Sequence, residues 1–381
     1  MRRKSSIQDM CSGEIKCMME SEGKILLLLT GGTICSFGDE QGNRRDVDVQ
    51  KAKALLLQYF EESDSPCAHQ KFDVVTILNT LSENMTIPKW NELLRFFKKC
   101  DFSQYRGIVI AHGTDTLAYT ASLLALALSK VEIPVFLVSS QLPLNQEGAN
   151  GNENFRRSVE LICAGIHSGV YVVYRNEDGR CFLHHGGHLV SSGDYSNDFY
   201  SRDAVCLGEV SKVMEGECSR AAMHLNQWTE ELKRDKICSQ RNGNGIDLSR
   251  MGELKSDVLC IEPYVGLNYQ QIVLNKEIRA VIHGLYHSAT ACIGGTNEEQ
   301  KSEYSMLPFL MRCREARIPV IVTPCPNEAA YASGVWMMEA GAVPVYGMTK
   351  EMVYVKTLLA GVLGYPNEKL CSFLKEDVCG E

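Results

Sequence analysis

The stretch Lys24-Ile-Leu-Leu-Leu-Leu-Thr30-Gly-Gly-Thr33-Ile-Cys-Ser36 indicates the fold of this 381-residue chain. Its apolar run from Ile25 is uninterrupted, which is typical of a strand buried on both faces of a parallel sheet. The strand ends in a glycine pair that permits a sharp turn. Because ligands bind outside the carboxyl ends of such strands, Thr33 lies either in a ligand-binding turn or in an ordinary turn with glycines for clearance.

The composition is that of an ordinary globular protein. Hydrophobic residues make up 45% and charged residues 23%, and the length suggests two domains. The net charge of −8 argues against binding to nucleic acid or anionic membranes. No segment has the apolar length of a membrane span. The first twenty residues contain no apolar segment typical of a signal peptide.

The 16 cysteines are scattered and contain no C-x-x-C pair. This distribution favours free thiols in a reducing cytosol over a disulfide framework or a zinc site. We therefore expect a cytoplasmic protein without a bound metal or cofactor.

Strands and helices alternate along most of the chain. After a polar extension over 1–22, apolar patterns predict strands at 72–78, 107–111, 135–139 and 169–174 and helices at 47–60, 88–99, 117–128 and 155–164. This alternation predicts a doubly wound α/β domain over 23–214. A polar linker over 215–256 then precedes a smaller α/β domain over 257–381, with strands at 258–261, 280–285 and 319–323 and helices at 306–316 and 348–359.

Polar residues follow three of the predicted strands. Thr33 follows the first, Ser82-Glu83-Asn84 the second, and His112-Gly113-Thr114-Asp115-Thr116 the third. We expect the Thr33 and Thr114 hydroxyls to lie within a few ångströms of each other at the carboxyl edge of the sheet. The alternative is turn and helix-capping chemistry, with His112 a core histidine. The polar segment 37–45 is either an inert loop or a lid over Thr33.

Thr30-Gly-Gly-Thr33-Ile, together with His112-Gly-Thr-Asp-Thr116, resembles the paired signature of the bacterial-type L-asparaginases, in their cytoplasmic, type I-like branch. Ser82-Glu-Asn-Met-Thr resembles that family's substrate-carboxylate loop. Segments 139–144, 318–323 and 347–351 are also similar, so the resemblance covers nearly the whole chain. It implies a two-domain asparaginase-like fold and a homodimer or homotetramer with active sites at subunit contacts.

The resemblance also implies an activity, the hydrolysis of L-asparagine or a related small amino-acid amide through a threonine acyl-enzyme. A threonine hydroxyl needs a nearby base, and the tetrahedral oxyanion needs backbone N–H donors. By this resemblance, Thr33 is the nucleophile, and Thr114 and Asp115 belong to the activating relay. Asp115 also binds the amino group of the substrate, and Ser82 binds its α-carboxylate. Further substrate contacts come from Glu83, Gly32 and Gly113.

One departure from the family pattern concerns the relay lysine. The family places it in a loop that here corresponds to 187–199, and no lysine occurs between Lys130 and Lys212. The matching position falls near Val190 or Ser191, and the closest basic group is His188. His188 and Ser191 are therefore candidate replacements.

The neighbouring His184 and His185 are the next candidates, because an imidazole titrates near neutral pH. The alternative is that all three histidines face solvent. The family's lid tyrosine is also missing, and Arg44 and Arg45 stand in that segment.

Three functions fit these residues. The first is an amidohydrolase with an altered relay. The second is a binding or regulatory protein that lost turnover together with the lysine. The third is a subunit of a tRNA-dependent amidotransferase, which shares the two motifs but suits an acidic chain less well.

Overall fold

The computed structural model describes residues 23–38, 45–202, 206–210, 245–325 and 331–381. The chain forms two compact units, of which the first ends at Leu248 and also includes 378–380. The second comprises 249–377 and Glu381. The division falls inside the segment 215–256 predicted as a linker, of which 215–244 lies outside the described residues.

The first unit is built on a mixed seven-stranded sheet with the order β11-β8-β7-β6-β5-β1-β4. Strands β4, β1, β5, β6 and β7 are parallel, whereas β8 and β11 pair antiparallel at one edge. Two short antiparallel pairs, β2 with β3 and β9 with β10, lie outside this sheet. The strands are β1 Lys24–Gly31, β2 Ser36–Gly38, β3 Arg45–Val47, β4 Phe72–Thr80, β5 Tyr105–Ala111, β6 Pro134–Val138, β7 Gly169–Arg175, β8 Cys181–His185, β9 Leu189–Val190, β10 Tyr200–Ser201 and β11 Gly208–Glu209.

Helices cover the sheet and explain the unbroken apolar run in β1. They are α1 Val49–Glu61, α2 Ile87–Lys99, α3 Leu117–Ala127 and α4 Gly151–Cys163. Ile25, Leu27 and Leu29 pack into one core with residues of α1 and α4. Leu26 and Leu28 alternate with them and are also buried, so both faces of β1 are covered. Each such side chain contributes about 1.5–3 kcal/mol on burial.

The order of the strands places a crevice beside β1. The chain runs from β1 to β4 on one side and then crosses to β5 on the other side of β1. Such a reversal is a topological switch point, where open α/β sheets bind ligands outside the carboxyl ends of the strands. The turns after β1 and β5 therefore lie at the place where a site is expected.

The second unit contains a four-stranded parallel sheet with the order β12-β13-β14-β15. Its strands are β12 Val258–Ile261, β13 Ala280–Gly284, β14 Val320–Cys325 and β15 Ala342–Tyr346, and its helices are α5 Met306–Glu315, α6 Ala332–Glu339, α7 Lys350–Val362 and α8 Asn367–Lys375. Lys356 on α7 is fully buried and pairs with the buried carboxylate of Glu381. None of the helices in the described residues is long and apolar enough to cross a membrane.

The predicted strands and helices are present with ends displaced by a few residues. The largest displacement is in α4, which begins at Gly151 instead of residue 155. The elements that were not predicted are strands β2, β3, β8, β9, β10, β11 and β15 and helices α6 and α8. Of the candidate lid, β2 and β3 form the two ends, and residues 39–44, including Arg44, lie outside the described residues.

Candidate active site

The turn after β1 is held against the end of β4. Gly31 and Gly32 have φ angles of 111° and 79°, a region that favours glycine. The Gly32 N–H donates to the Thr80 carbonyl oxygen at 2.8 Å. A Cβ atom on Gly31 would lie 2.1 Å from that same oxygen, so a side chain there would collide with β4. The turn delivers Thr33 to the first position of a short 3-10 helix, Thr33–Cys35.

The turns after β1 and β5 touch each other through their glycines. A Cβ atom on Gly32 would lie 2.1 Å from the Cα of Gly113. A Cβ atom on Gly113 would lie 2.4 Å from the Cβ of Ser82. The ends of β1, β4 and β5 are thus in direct contact. Thr33 and Thr114 each follow one of these glycines and are half-buried, while the short distance expected between their hydroxyls stays a prediction.

Ser82 and Asp115 are joined by a hydrogen bond. The Ser82 hydroxyl donates to Asp115 Oδ2 at 2.7 Å, and the Asp115 N–H approaches Ser82 Oγ at 3.3 Å. The Thr116 hydroxyl donates to the Ser82 carbonyl oxygen at 3.1 Å. Ser82 is buried, whereas Asp115 is exposed. A buried hydroxyl therefore orients a carboxylate that remains open to a ligand, with Glu83 exposed on the same short 3-10 helix as Ser82.

The two backbone N–H groups of the turn after β1 differ in whether they are available to a ligand. The Gly32 N–H is occupied by Thr80, so it is not available to a developing oxyanion. The Thr33 N–H opens the 3-10 helix, where a donor has no acceptor within the helix. Thr33 thus carries both a hydroxyl and a backbone donor at one position.

His112 supports the second turn from inside. Its ring is fully buried, and burial lowers its pKa to about 4, so the imidazole is neutral near pH 7. Nδ1 lies 2.8 Å from the Gly113 carbonyl oxygen, and since that oxygen can only accept, Nδ1 carries the hydrogen. His112 therefore holds the Gly113 peptide as a neutral core histidine.

His188, the leading candidate to replace the lysine, is buried and hydrogen-bonded. Its Nε2 lies 2.7 Å from the carbonyl oxygen of Gly380. The carbonyl only accepts, so Nε2 carries a hydrogen and is not the atom that would take a proton from Thr33. The alternative expectation, that this histidine faces solvent, is wrong, because only 3% of its surface is exposed.

The other histidines of this segment are buried as well. The His184 Nδ1 lies 2.9 Å from Ser201 Oγ, and burial lowers the pKa of His184 to about 4. The His185 Nδ1 accepts from the Gly187 N–H at 3.2 Å. These contacts fix the segment before β9. Ser191, just after β9, is partly buried.

Three further residues shape the site, and sequence reasoning assigned a site role to none of them. Thr80 anchors the first turn through its carbonyl, and Thr116 binds the Ser82 backbone. Lys89, on α2, donates from Nζ to Thr80 Oγ1 at 2.6 Å and to the Asn84 carbonyl oxygen at 2.8 Å. A lysine in the first turn of a helix, directly after the Ser82 loop, was the available signal.

Known proteins are similar to this chain in both sequence and fold. The family model described as "Asparaginase, N-terminal" matches residues 24–218. An L-asparaginase of Thermococcus kodakarensis is 33% identical over 376 residues, which cover 94% of this chain and 98% of that protein. The chain belongs to the asparaginase family.

This asparaginase-family protein also resembles proteins with another role. A glutamyl-tRNA(Gln) amidotransferase subunit of Saccharolobus solfataricus is 26% identical over 371 residues, or 95% of this chain and 76% of that protein. The solved thermostable L-asparaginase of Thermococcus kodakarensis superimposes with a TM-score of 0.69 at 23% identity, covering 94% of this chain and 98% of that one. The predicted asparaginase-like α/β fold is confirmed.

Proposed function

We propose that this chain is an L-asparaginase-type amidohydrolase that converts L-asparagine, or a closely related amino-acid amide, to the acid and ammonia. The observation that carries the proposal is the hydrogen bond between Ser82 and Asp115, beside the contact of the Gly32 and Gly113 turns. It sets a carboxylate next to two hydroxyl-bearing turns at the switch point of the sheet. Family membership and the L-asparaginase relative support the same reaction.

The proposed reaction has two steps. The Thr33 hydroxyl attacks the side-chain amide carbon, the C–N bond breaks, and the nitrogen takes a proton and leaves as ammonia. Water then attacks the resulting ester, releasing the acid and restoring the hydroxyl. The proposed backbone donor to the oxyanion is the Thr33 N–H, since the Gly32 N–H is already occupied, and Thr114 and Asp115 serve the proton relay.

Substrate binding requires an exchange of hydrogen bonds at Ser82. Its hydroxyl has one hydrogen, which points to Asp115 in this structure. When an α-carboxylate arrives, that hydrogen turns to the carboxylate, and Asp115 becomes free to accept from the α-ammonium group. The site thus recognises both charges of an amino acid with one serine and one aspartate, with Glu83 at the neighbouring position.

The missing lysine lowers the expected rate. A positioned acid–base group contributes about 10²–10⁴-fold. His188 and Ser191 remain the candidate replacements in sequence, but Nε2 of His188 already carries a hydrogen. We therefore propose slow turnover with intact binding of L-asparagine and L-aspartate.

An amidotransferase subunit is the second candidate. Relatives of that kind, at 24–26% identity over most of this chain, favour it. The two functions differ in one property, because a hydrolase releases ammonia unaided whereas the amidotransferase function would require a partner for glutaminase activity.

The test uses the purified chain without any partner. Ammonia is measured with L-asparagine and L-glutamine as substrates, with and without hydroxylamine. We expect ammonia from L-asparagine, and in hydroxylamine the formation of aspartyl hydroxamate, since an ester reacts with that nucleophile. Ammonia release that needs a further protein would support the amidotransferase, and binding of L-aspartate without release would support the regulatory protein.

Assembly and location belong to the same proposal. If the chain is an asparaginase of this kind, we expect it to form a homodimer or homotetramer. We also expect a cytoplasmic, type I-like enzyme. Light scattering of the purified chain tests the assembly, and a monomer that hydrolyses L-asparagine would contradict it.

A further inference from the structure

Lys89 spans the Ser82 loop from its beginning to its end. The Nζ atom contacts the Thr80 hydroxyl before the loop and the Asn84 carbonyl oxygen after it. Ser82 lies between these two anchors, on the 3-10 helix Ser82–Asn84. One ammonium group therefore fixes the segment that presents the Ser82 hydroxyl.

The same contact reaches the turn before Thr33. The Thr80 hydroxyl accepts from Lys89, while the Thr80 carbonyl accepts from the Gly32 N–H. Two hydrogen bonds thus connect Lys89 to the Gly32 turn through a single residue. A displacement of Lys89 would therefore disturb both the Ser82 loop and that turn.

The stability of α2 does not explain a cation at this position. Lys89 is the third residue of α2, and a positive charge in the first turn is unfavourable to the helix dipole. Within the described part of the chain, Lys89 has no carboxylate within ion-pair distance, so its charge is not neutralised by a neighbour. A net positive charge behind a loop attracts an anion in front of it.

We propose that Lys89 is a positioning residue for the α-carboxylate of the substrate. It holds the Ser82 loop in place and adds a positive potential behind the point where the carboxylate binds. This inference rests on the proposed function, and it assigns to α2 a cation for binding the carboxylate. It does not make Lys89 a replacement for the relay lysine, because its contacts are with Thr80 and Asn84.

A change of ligand separates the contribution of the Lys89 charge from the contribution of its support of the loop. L-Asparagine carries the α-carboxylate, whereas L-asparaginamide carries a neutral amide there. A residue that acts by charge discriminates between these ligands, and a residue that only holds the loop weakens both equally.

The experiment measures binding of L-aspartate, L-asparagine and L-asparaginamide by calorimetry, and KM and kcat where turnover is detectable. The variants are Lys89→Met, Lys89→Arg and the control Lys99→Met, an exposed lysine at the other end of α2. Thermal unfolding of each variant reports on folding.

We expect Lys89→Met to weaken L-asparagine and L-aspartate binding about tenfold more than L-asparaginamide binding, because loss of the loop anchor affects all three ligands and loss of the charge affects only the two that carry the α-carboxylate. Lys89→Arg should restore most of this preference, and Lys99→Met should match the wild type. Equal weakening for all ligands, or no weakening in a folded Lys89→Met variant, overturns the inference. If the wild type binds none of these ligands, the proposed function and this inference fail together. If the wild type binds them and Lys89→Met binds them equally well, only the inference fails.

Discussion

The Ser82 hydroxyl is the smallest feature on which substrate recognition depends. Ser82→Ala should leave the fold intact but weaken L-aspartate binding, because a hydrogen bond to a charged group is lost. Such bonds contribute about 1.5–3 kcal/mol, or roughly 10- to 150-fold in Kd. Calorimetry with L-aspartate measures the change.

A matched control for Ser82 exists on the surface. Ser103 donates to Asp101 Oδ1 at 2.7 Å, the same contact distance as in the Ser82–Asp115 pair, but it is exposed and precedes β5. Ser103→Ala should bind L-aspartate like the wild type. Equal affinities of Ser82→Ala and wild type would remove Ser82 from the binding site.

We predict that His188 acts through its hydrogen bond to Gly380, and not as the base. His188→Ala should lower the free energy of unfolding by about 1–3 kcal/mol, since the buried carbonyl loses its donor. The pH–rate profile of the variant should keep the wild-type shape. An inflection near neutral pH that disappears in the variant would show instead that His188 replaces the lysine.

At the scale of elements, the contact between the turns after β1 and β5 decides the site. Gly32→Ala should abolish activity and destabilise the fold, because the new Cβ would lie 2.1 Å from Gly113 Cα. Gly179→Ala is the control, since Gly179 has a similar φ of 82° and no atom within 4 Å of its would-be Cβ. In the control, the free energy of unfolding should fall by only about 1–2 kcal/mol, the cost of placing a residue with a Cβ in the left-handed backbone region.

Denaturant unfolding and ammonia release measure these two effects together. Similar stability and activity in Gly32→Ala and Gly179→Ala would mean that the two turns do not need to touch. That result would contradict the geometry from which the site is built.

Elements with strong local patterns were predictable from the sequence. The leucine run fixed β1, and the strand-end positions of Ser82 and Asp115 indicated that both belong to the site, although their hydrogen bond was not predicted. Strand β8, Cys181–His185, was not predicted because it has only five residues and two histidines interrupt its apolar pattern, although four of the five residues are buried. Lys89 was missed because a long side chain that folds back over its own loop leaves no periodic pattern.

At the scale of the whole molecule, buried histidines make stability depend on pH. Burial lowers the pKa of His112 and His184 from 6.5 to about 4, and lowers that of His283. Below pH 6.5 the unfolded chain therefore binds protons that the folded chain does not. Stability should be complete above about pH 6.5 and fall as the pH decreases toward 4, by up to about 3 kcal/mol for each of the first two histidines.

His184→Gln isolates one of these contributions. Denaturant unfolding of wild type and variant from about pH 4 to pH 7.5 gives the difference in slope, in which the shared carboxylate titrations cancel. The variant should depend less steeply on pH, and the exposed His69→Gln is the control for the substitution itself. Identical slopes in wild type and His184→Gln would contradict a lowered pKa at His184.

Thr33 as the nucleophile of an amidohydrolase is the central proposal, and ammonia release from L-asparagine by Thr33 variants tests it most directly. We predict release by the wild type, none detectable by Thr33→Ala and partial release by Thr33→Ser. The control Thr76→Ala, at an exposed position within β4, should match the wild type. Equal release by wild type and a folded Thr33→Ala would contradict the proposal, as would a wild type that releases no ammonia.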